Sequence, residues 1–287
     1  MQRAKRHTSC VVYPFQGTYM HAYWCPSNVA RPDGKRPTII TVNGYDGTAE
    51  IQYYTIARSM VERGYNVLIF EGPGQGSTVR FNKLTFMPNF EVAVTTALNF
   101  VLDNFEVDAT LLYLWGESFG GYLAPRAFAY EPRFRGLVTN GGVYDFYQGM
   151  LCLLPEFLLN LYYTNATAEL NSIITSSAQH ALQLAFAVNY GFLGFGVSTY
   201  SDLLNAYNNY NLMDSMDRFA NRSVFIYDPA WDTLLGNQSQ IFLANLPEST
   251  YASLVSLDPY RGTGMHCGVG STENINIAIS RWLESQM

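Results

Sequence analysis

The sequence GESFGG at residues 116–121 decides the fold. It follows the apolar run 111–115 and precedes residues 122–130, whose composition is compatible with a helix. A Gly-x-Ser-x-Gly motif between a strand and a helix is typical of a sharp turn, because the flanking glycines let the two elements approach closely. Such a turn holds the serine side chain out at the carboxyl end of a sheet. The sequence therefore predicts Ser118 as a nucleophile.

The order of the histidines along the chain selects the base that would activate this serine. Four are present: His7, His21, His180 and His266. Two precede Ser118, and a third lies inside a long aromatic segment with no strand before it. His266 alone stands in a glycine-rich loop, 262–268, between a β-like run at 251–257 and a final helix predicted at 275–283. An α/β-hydrolase places its acid and then its histidine after the serine, so His266 is the predicted catalytic base.

The acid is expected after the buried strand predicted at 224–227. Asp228 and Asp232 follow that strand. A carboxylate must reach the imidazole Nδ1 from a loop beyond the strand end, which favours Asp232. Asp228, directly before Pro229, is predicted to begin a turn. Asp145, after the preceding strand, is a more distant alternative.

Two backbone amides are expected to stabilise the negative charge that develops during the attack. One belongs to Phe119, the residue after the nucleophile, and the other comes from the loop after the first parallel strand. That loop is 43–47, and Tyr45 is the predicted second donor. Asp46 either fixes this turn or binds a polar group of the substrate, and the sequence leaves both roles open.

The remaining segments predict an α/β fold with a mostly parallel sheet flanked by helices. The predicted elements are hairpin strands at 10–13 and 19–24, strands at 38–42, 66–70 and 136–139, and helices at 50–63 and 90–105. The glycine-rich stretch 72–76 lacks the lysine of a phosphate-binding loop and is predicted to be a tight turn beside the active site.

Residues 144–210 differ from the rest of the chain. They contain 13 aromatic residues, no lysine or arginine, and four acidic residues. We expect them to form a helical cap over a hydrolase core made of residues 1–143 and 211–287. Tyr190 and Phe192 are candidate substrate-binding residues, although packing of the cap against the core accounts for most of these aromatics. A cap of this composition predicts a hydrophobic small-molecule substrate.

Composition and charge narrow the function classes. With 287 residues, 48% of them hydrophobic and 14% charged, the chain can bury a large core. The net charge of −6 argues against a nucleic-acid partner. The basic cluster Arg3, Lys5 and Arg6 is predicted to be a solvated terminus.

Targeting and cofactor signals are absent from the sequence. No leading apolar segment resembles a signal peptide and no apolar run is long enough to span a bilayer, so we expect a cytoplasmic protein. The four cysteines are scattered without C-x-x-C spacing, which argues against a zinc site. A serine mechanism requires no metal or organic cofactor.

Several motifs together resemble one branch of the α/β-hydrolases. The branch contains the bacterial dihydroxypseudooxynicotine hydrolase and the fungal hydrolases that shorten polyketide chains in melanin-pigment pathways. The matching stretches are PFQGT at 14–18, NGYDGTAE at 43–50, EGPGQG at 71–76, GESFGGYLAPR at 116–126 and GMHC at 264–267.

The resemblance implies hydrolysis of a carbon-carbon bond beside a ketone, a retro-Claisen reaction, by Ser118, Asp232 and His266. The branch more often has glutamate at the position of Met265, so the field around His266 differs here. The resemblance leaves a homodimer open. A carboxylesterase or thioesterase would use the same residues, as would a natural-product cyclase or acyltransferase. A ligand-binding protein without activity is the alternative from another class.

Overall fold

The chain folds around an eight-stranded sheet in the computed structural model, which describes residues 8–29 and 35–287. The strands are β1 (Ser9–Phe15), β2 (Thr18–Cys25), β3 (Thr38–Val42), β4 (Asn66–Glu71), β5 (Leu112–Glu117), β6 (Gly136–Asn140), β7 (Ser223–Tyr227) and β8 (Tyr251–Val255). Their spatial order is β1-β2-β4-β3-β5-β6-β7-β8. β1 and β2 form the predicted antiparallel hairpin and β2 is antiparallel to β4, whereas all other pairs are parallel.

Helices connect the parallel strands, as predicted. They are α1 (Ala49–Gln52), α2 (Arg58–Glu62), α3 (Gly76–Asn82), α4 (Glu91–Asn104), α5 (Gly120–Tyr130), α6 (Phe146–Leu151), α7 (Glu156–Tyr163), α8 (Thr167–Ala178), α9 (Leu182–Phe195), α10 (Tyr200–Tyr207), α11 (Gln238–Asn245) and α12 (Thr272–Ser285). A π-helical turn, Tyr53–Ala57, joins α1 to α2, so the helix predicted at 50–63 is locally widened. Short 3-10 helices occur at Met213–Phe219, Pro259–Arg261 and His266–Gly268.

The sheet separates two hydrophobic clusters because successive side chains of a strand point to opposite faces. In β5, Leu112 and Leu114 join the cluster under α4 and α5. Tyr113 and Trp115 join the cluster under α2 and α12. The strands are thereby buried on both faces, and the carboxyl ends of the parallel strands meet at one edge, where ligands bind in open α/β folds.

Helices α6 to α10 follow β6 and precede β7 in the chain, within the segment predicted to be a cap, and they form a helical layer. The chain enters and leaves this layer through a short antiparallel pairing, in which the Phe146 amide donates to the Tyr210 carbonyl at 2.9 Å and the Leu212 amide donates to the Tyr144 carbonyl at 2.8 Å. The layer lies over the serine turn, since the ring of Phe146 packs 4.1 Å from that of Phe119, centroid to centroid.

Residues 1–7 lie outside the described residues, and with them His7 and the predicted solvated cluster of Arg3, Lys5 and Arg6. In the described ranges, no helix has both the length and the apolar character needed to cross a bilayer.

Arg222, directly before β7, ties the far end of α5 to the sheet. Its guanidinium donates to the carbonyl oxygens of Phe128, of Glu131 at 3.2 Å and of Phe134 at 2.9 Å. Burial lowers the pKa of Arg222 to about 10, and the charge of Glu131 opposes this shift. The side chain is therefore a charged clamp between the helix after Ser118 and the strand before Asp232.

Arg222→Met should lower the free energy of unfolding by about 3 kcal/mol, because three carbonyl oxygens lose a charged donor. Urea denaturation followed by circular dichroism measures this change. Arg218→Met is the matched control, since the guanidinium of Arg218, like that of Arg222, stacks on an aromatic ring but is exposed. This substitution should lower the free energy of unfolding by less than about 1 kcal/mol. Equal costs for the two substitutions would contradict the clamp.

Candidate active site

The serine turn is held by steric constraint. Ser118 follows β5 with a φ of 58°, in the left-handed region that non-glycine residues rarely adopt. A Cβ on Gly116 would lie 2.0 Å from the carbonyl oxygen of Gly120, and a Cβ on Gly120 would lie 2.3 Å from that of Val42. Only glycine fits at these two positions, so the motif brings α5 directly onto the strands and turns Ser118 outward.

Ser118, His266 and Asp232 form a continuous hydrogen-bonded row. His266 Nε2 lies 2.8 Å from Ser118 Oγ, and His266 Nδ1 lies 2.8 Å from Asp232 Oδ2. The side chain of Asp232 is 2% exposed and that of His266 is 22% exposed. The row therefore runs from a buried acid to a base that solvent and a substrate can reach.

Asp232 is held in place by backbone donors as well as by the imidazole. Its Oδ1 accepts from the Leu234 amide at 2.8 Å and from the Leu235 amide at 3.0 Å. Burial raises the pKa of Asp232, but the hydrogen bond and charge of His266 and these two amides outweigh it and hold the pKa below its ordinary value. An ionised Asp232 favours the tautomer with a proton on Nδ1, which leaves Nε2 to accept from Ser118.

The two other candidate acids are engaged elsewhere. Asp228 is buried, and its Oδ2 accepts from Gln240 Nε2 at 3.0 Å. Asp145 caps the N-terminus of α6, where its Oδ1 accepts from the Gln148 amide at 3.0 Å. The structure thus brings only Asp232 of these three to the imidazole.

The histidine loop is fixed to the sheet and to the acid loop. Trp231 donates its amide to the Gly264 carbonyl at 2.8 Å, and Tyr227 donates its hydroxyl to the Thr263 carbonyl at 2.7 Å. Cys267 is buried behind the imidazole, with Sγ 3.5 Å from His266 Nε2. Sequence reasoning assigned no role to Cys267.

The Tyr45 loop lies against the nucleophile. A Cβ on Gly44 would stand 2.8 Å from Ser118 Cβ and 3.2 Å from Ser118 Oγ, so the Gly44–Tyr45 peptide adjoins the serine. Within the described residues, neither the Tyr45 amide nor the Phe119 amide donates to another protein group. Neither amide would therefore have to give up a protein acceptor in order to bind a ligand.

Two polar side chains support the Tyr45 loop, and sequence reasoning missed both. One lies in the glycine-rich turn 72–76 and the other directly before it. Gln75 is fully buried, and its Nε2 donates to the carbonyl oxygens of Asn43 at 2.6 Å and Gly44 at 3.3 Å. Glu71 is buried, and its carboxylate accepts from the Ala49 amide at 3.0 Å and the Ser77 amide at 2.6 Å. The available signal was a polar residue between glycines in a turn predicted to pack beside the site.

Asp46 does not fix its own turn. That task falls to Asn43, whose Oδ1 accepts from the Gly44 amide and whose Nδ2 donates to the Thr48 carbonyl, both at 2.8 Å. Asp46 is exposed. Of the two roles the sequence left open, contact with a polar substrate group stays a prediction.

The two candidate substrate-binding residues lie on different faces of α9. Tyr190 is 6% exposed, and its ring centroid is 6.0 Å from that of Tyr45. Phe192 is half-buried against the core, and we find no stacking of its ring within the described ranges. Phe195 lies on the Tyr45 side of α9, 5.8 Å from the Tyr45 ring and 5.9 Å from the Phe119 ring. Tyr190 and Phe192 differ in their surroundings because residues two apart on a helix do not share a face. Substrate binding by both stays a prediction.

No cluster of three or more histidine, cysteine, aspartate or glutamate side chains suited to a metal ion occurs in residues 8–29 and 35–287.

A protein-family model assigns the chain to a family. The model Hydrolase_4, described as serine aminopeptidase S33, matches residues 33–190, more than half of the chain. The chain belongs to this α/β-hydrolase family.

Several curated fungal relatives of this chain are named as hydrolases. It is 30% identical over 187 residues to 20-hydroxy-prefusarin hydrolase FUS2 of Gibberella moniliformis, covering 63% of this chain and 44% of that protein. It is 29% identical over 212 residues to hydrolase LUC6 of a Fusarium species, covering 71% and 50% respectively. The chain spans about half the length of the curated relatives it matches.

Solved structures share its fold. The crystal structure of 2,6-dihydroxy-pseudo-oxynicotine hydrolase superposes with a TM-score of 0.73 at 18% identity, over 96% of this chain and 67% of that one. The α/β-hydrolase GrgF from Penicillium sp. sh18 gives a TM-score of 0.65 at 15% identity, over 98% and 99%. At such identities the likeness concerns the fold alone. The predicted α/β-hydrolase fold and the resemblance to this branch are both confirmed.

Glu117, between Gly116 and Ser118, is a second carboxyl group whose charge interacts with the His266 imidazole. Burial raises the pKa of Glu117 to about 7, and the charge of His266 lowers it in part. Burial, and to a smaller extent the charge of Glu117, raise the pKa of the Cys267 thiol well above its ordinary value. The region behind His266 therefore disfavours negative charge.

Glu117→Gln should remove a pH-dependent loss of stability. Below a pH of about 4.5 this carboxyl is protonated in both the folded and the unfolded chain, so it does not lower the free energy of unfolding. As the pH rises to about 7 the carboxyl ionises first in the unfolded chain, and the free energy of unfolding therefore falls. The gap in unfolding free energy between variant and wild type should grow by on the order of 3 kcal/mol between pH 4.5 and pH 8. Urea denaturation at both pH values measures it, and parallel profiles would contradict a raised Glu117 pKa.

Proposed function

We propose that this chain is a serine hydrolase acting on a hydrophobic, polyketide-like or aromatic small molecule, in which it cleaves a carbon-carbon bond next to a ketone, or an ester. The observation that carries the proposal is the row of Ser118, His266 and Asp232, joined by two contacts of 2.8 Å. A nucleophile, a base and an acid that orients the base are the groups that acyl transfer requires.

The first step is attack on the substrate carbonyl. His266 Nε2 takes the proton of Ser118 as Oγ bonds to the carbonyl carbon, and Asp232 stabilises the resulting imidazolium. The carbonyl oxygen becomes an alkoxide, which accepts hydrogen bonds from the Phe119 and Tyr45 amides. Because neither amide has another acceptor within the described residues, both serve this charge without first giving up a partner.

The second step expels the leaving group. In a β-diketone the bond between the attacked carbonyl and the central carbon breaks, and its electron pair becomes an enolate that the other ketone stabilises. The imidazolium of His266 gives its proton to that enolate, and the acyl group stays on Ser118. Water, activated by His266, then releases the acyl group as an acid. An ester follows the same steps with an alkoxide as the leaving group.

The substrate class rests on the surroundings of the serine. Aromatic rings of Tyr45, Phe119 and Phe195 lie within 6.3 Å of one another, centroid to centroid. The helices above them carry no lysine or arginine. A cationic group reaches this layer from the core, since the Arg80 guanidinium of α3 lies 5.6 Å from the centroid of the Tyr190 ring. The names of the relatives, 20-hydroxy-prefusarin hydrolase and 2,6-dihydroxy-pseudo-oxynicotine hydrolase, support hydrolysis as the reaction class.

Asp232→Asn should lower kcat by about four orders of magnitude, since an amide no longer holds the required tautomer. Asp228→Asn is the matched control and should retain most activity, because its partner is Gln240 rather than the imidazole. Initial rates on p-nitrophenyl octanoate measure both. The opposite ranking would assign the acid to Asp228, and equal losses would mean that the loop itself was disturbed.

Turnover of a short panel tests the substrate class. The wild-type chain should cleave p-nitrophenyl octanoate with a kcat/KM at least about tenfold above that for the acetate, because each buried methylene contributes up to ~0.8 kcal/mol. It should also consume 1-phenyl-1,3-butanedione, followed by loss of the enol absorbance, and Ser118→Ala should abolish both reactions. Equal rates for octanoate and acetate would contradict the hydrophobic substrate, and ester cleavage without diketone cleavage would assign a carboxylesterase.

A further inference from the structure

Tyr45 belongs to two parts of the molecule at once. Its backbone adjoins Ser118, while its side chain reaches into the helical layer above. The hydroxyl lies 2.7 Å from the Tyr207 hydroxyl of α10 and donates to the Ala187 carbonyl of α9 at 3.2 Å. The same residue therefore connects the serine environment to two helices that are more than 140 residues away in the chain.

Helix α9 presents a face that fits this tyrosine closely. Residues spaced three and four apart share that face, and they are Ala187, Tyr190, Gly191, Gly194 and Phe195. A Cβ on Gly191 would lie 2.1 Å from the Tyr45 hydroxyl oxygen. The missing side chain is what allows the hydroxyl to reach the helix backbone.

The other side of the Tyr45 peptide is fixed to the core. Gln75 holds the carbonyl oxygens of Asn43 and Gly44, and Asn43 holds the Gly44 amide. Because the Gly44 carbonyl and the Tyr45 amide belong to one planar peptide unit, Gln75 anchors this unit at its carbonyl oxygen, at 3.3 Å. The second anchor of the unit is the Tyr45 side chain. That anchor lies entirely in the helical layer and in the rings of Phe86 and Phe119 beneath it.

We propose that the Tyr45 side chain is a positioning group through which helices α9 and α10 aim the Tyr45 amide at the substrate oxygen. The inference rests on the proposed function and adds a source of specificity to it. A substrate that leaves α9 seated on Tyr45 keeps both amide donors in place, whereas one that displaces α9 loses the second donor. Selection then acts on kcat, through stabilisation of the transition state, rather than on ground-state binding.

A double-mutant cycle tests this coupling. Tyr45→Phe removes the hydroxyl and both of its hydrogen bonds, and should lower kcat on p-nitrophenyl octanoate about tenfold with KM nearly unchanged, a fraction of the ~100-fold cost of losing a whole donor. Gly191→Ala should lower kcat by a similar or larger factor, since the new methyl group displaces the hydroxyl. Phenylalanine lacks that oxygen, although the new methyl group still meets Leu203 Cδ2 at 2.6 Å. Gly191→Ala should therefore cost less in the Tyr45→Phe background than in the wild type, and the two losses should not multiply.

A second readout separates aiming of the amide from general damage. Inhibition by 1,1,1-trifluoro-2-octanone depends on the charged adduct that the two amides stabilise, so its Ki should rise in each variant by the factor that kcat falls. Tyr147→Phe and Gly149→Ala are the matched controls. Tyr147 shares a hydroxyl pair with Tyr162 in the same layer, and a Cβ on Gly149 meets nothing closer than 3.5 Å. Both should stay within about twofold of wild type.

The outcomes distinguish this proposal from the one on which it rests. Multiplied losses in the double variant, or falls in kcat without a matching rise in Ki, would overturn the coupling while leaving the serine hydrolase standing. A wild-type chain that neither cleaves the ester nor binds the ketone, or a Ser118→Ala variant as active as wild type, would overturn both.

Discussion

The contact between Ser118 Oγ and His266 Nε2 joins residues 148 positions apart in the chain, and most of the structure serves to keep it in place. From one side, the glycines around Ser118 let α5 touch the strands and force the serine outward. From the other side, the Trp231 amide and the Tyr227 hydroxyl fix the histidine loop by donating to its carbonyl oxygens. A serine in a left-handed conformation is strained and persists only where its surroundings over-determine it. The 2.8 Å contact therefore depends on both segments.

The ionisable groups around His266 also differ in how readily they carry a negative charge. Asp232 is ionised, with each carboxylate oxygen accepting hydrogen bonds, whereas burial raises the pKa values of the Glu117 carboxyl and the Cys267 thiol. Below about pH 7, the negative charge near His266 is therefore concentrated on Asp232, at the Nδ1 side of the imidazole. That asymmetry favours the tautomer with the proton on Nδ1, which leaves Nε2 to accept from the serine.

The sequence predicted those parts of the site that depend on local spacing and chain order. Six consecutive residues encode the serine turn, and the positions of His266 and Asp232 follow from the order of nucleophile, acid and base along the chain. Gln75 and Glu71 were missed because their role depends on which loops become neighbours across the sheet. The contact of Phe195 with the Tyr45 ring was not predicted, because composition identified an aromatic helix without revealing which face its glycines turn toward Tyr45. The catalytic and substrate-binding roles of these residues stay predictions.

The proposed mechanism requires Ser118 to be the nucleophile. Treatment with a fluorophosphonate, followed by intact-mass measurement and peptide mapping, identifies the nucleophile by its adduct. We expect one adduct per chain, carried by the peptide that contains Ser118, and none in Ser118→Ala under the same conditions. An adduct that persists in Ser118→Ala, or one that maps to a different residue in the wild-type chain, would contradict it.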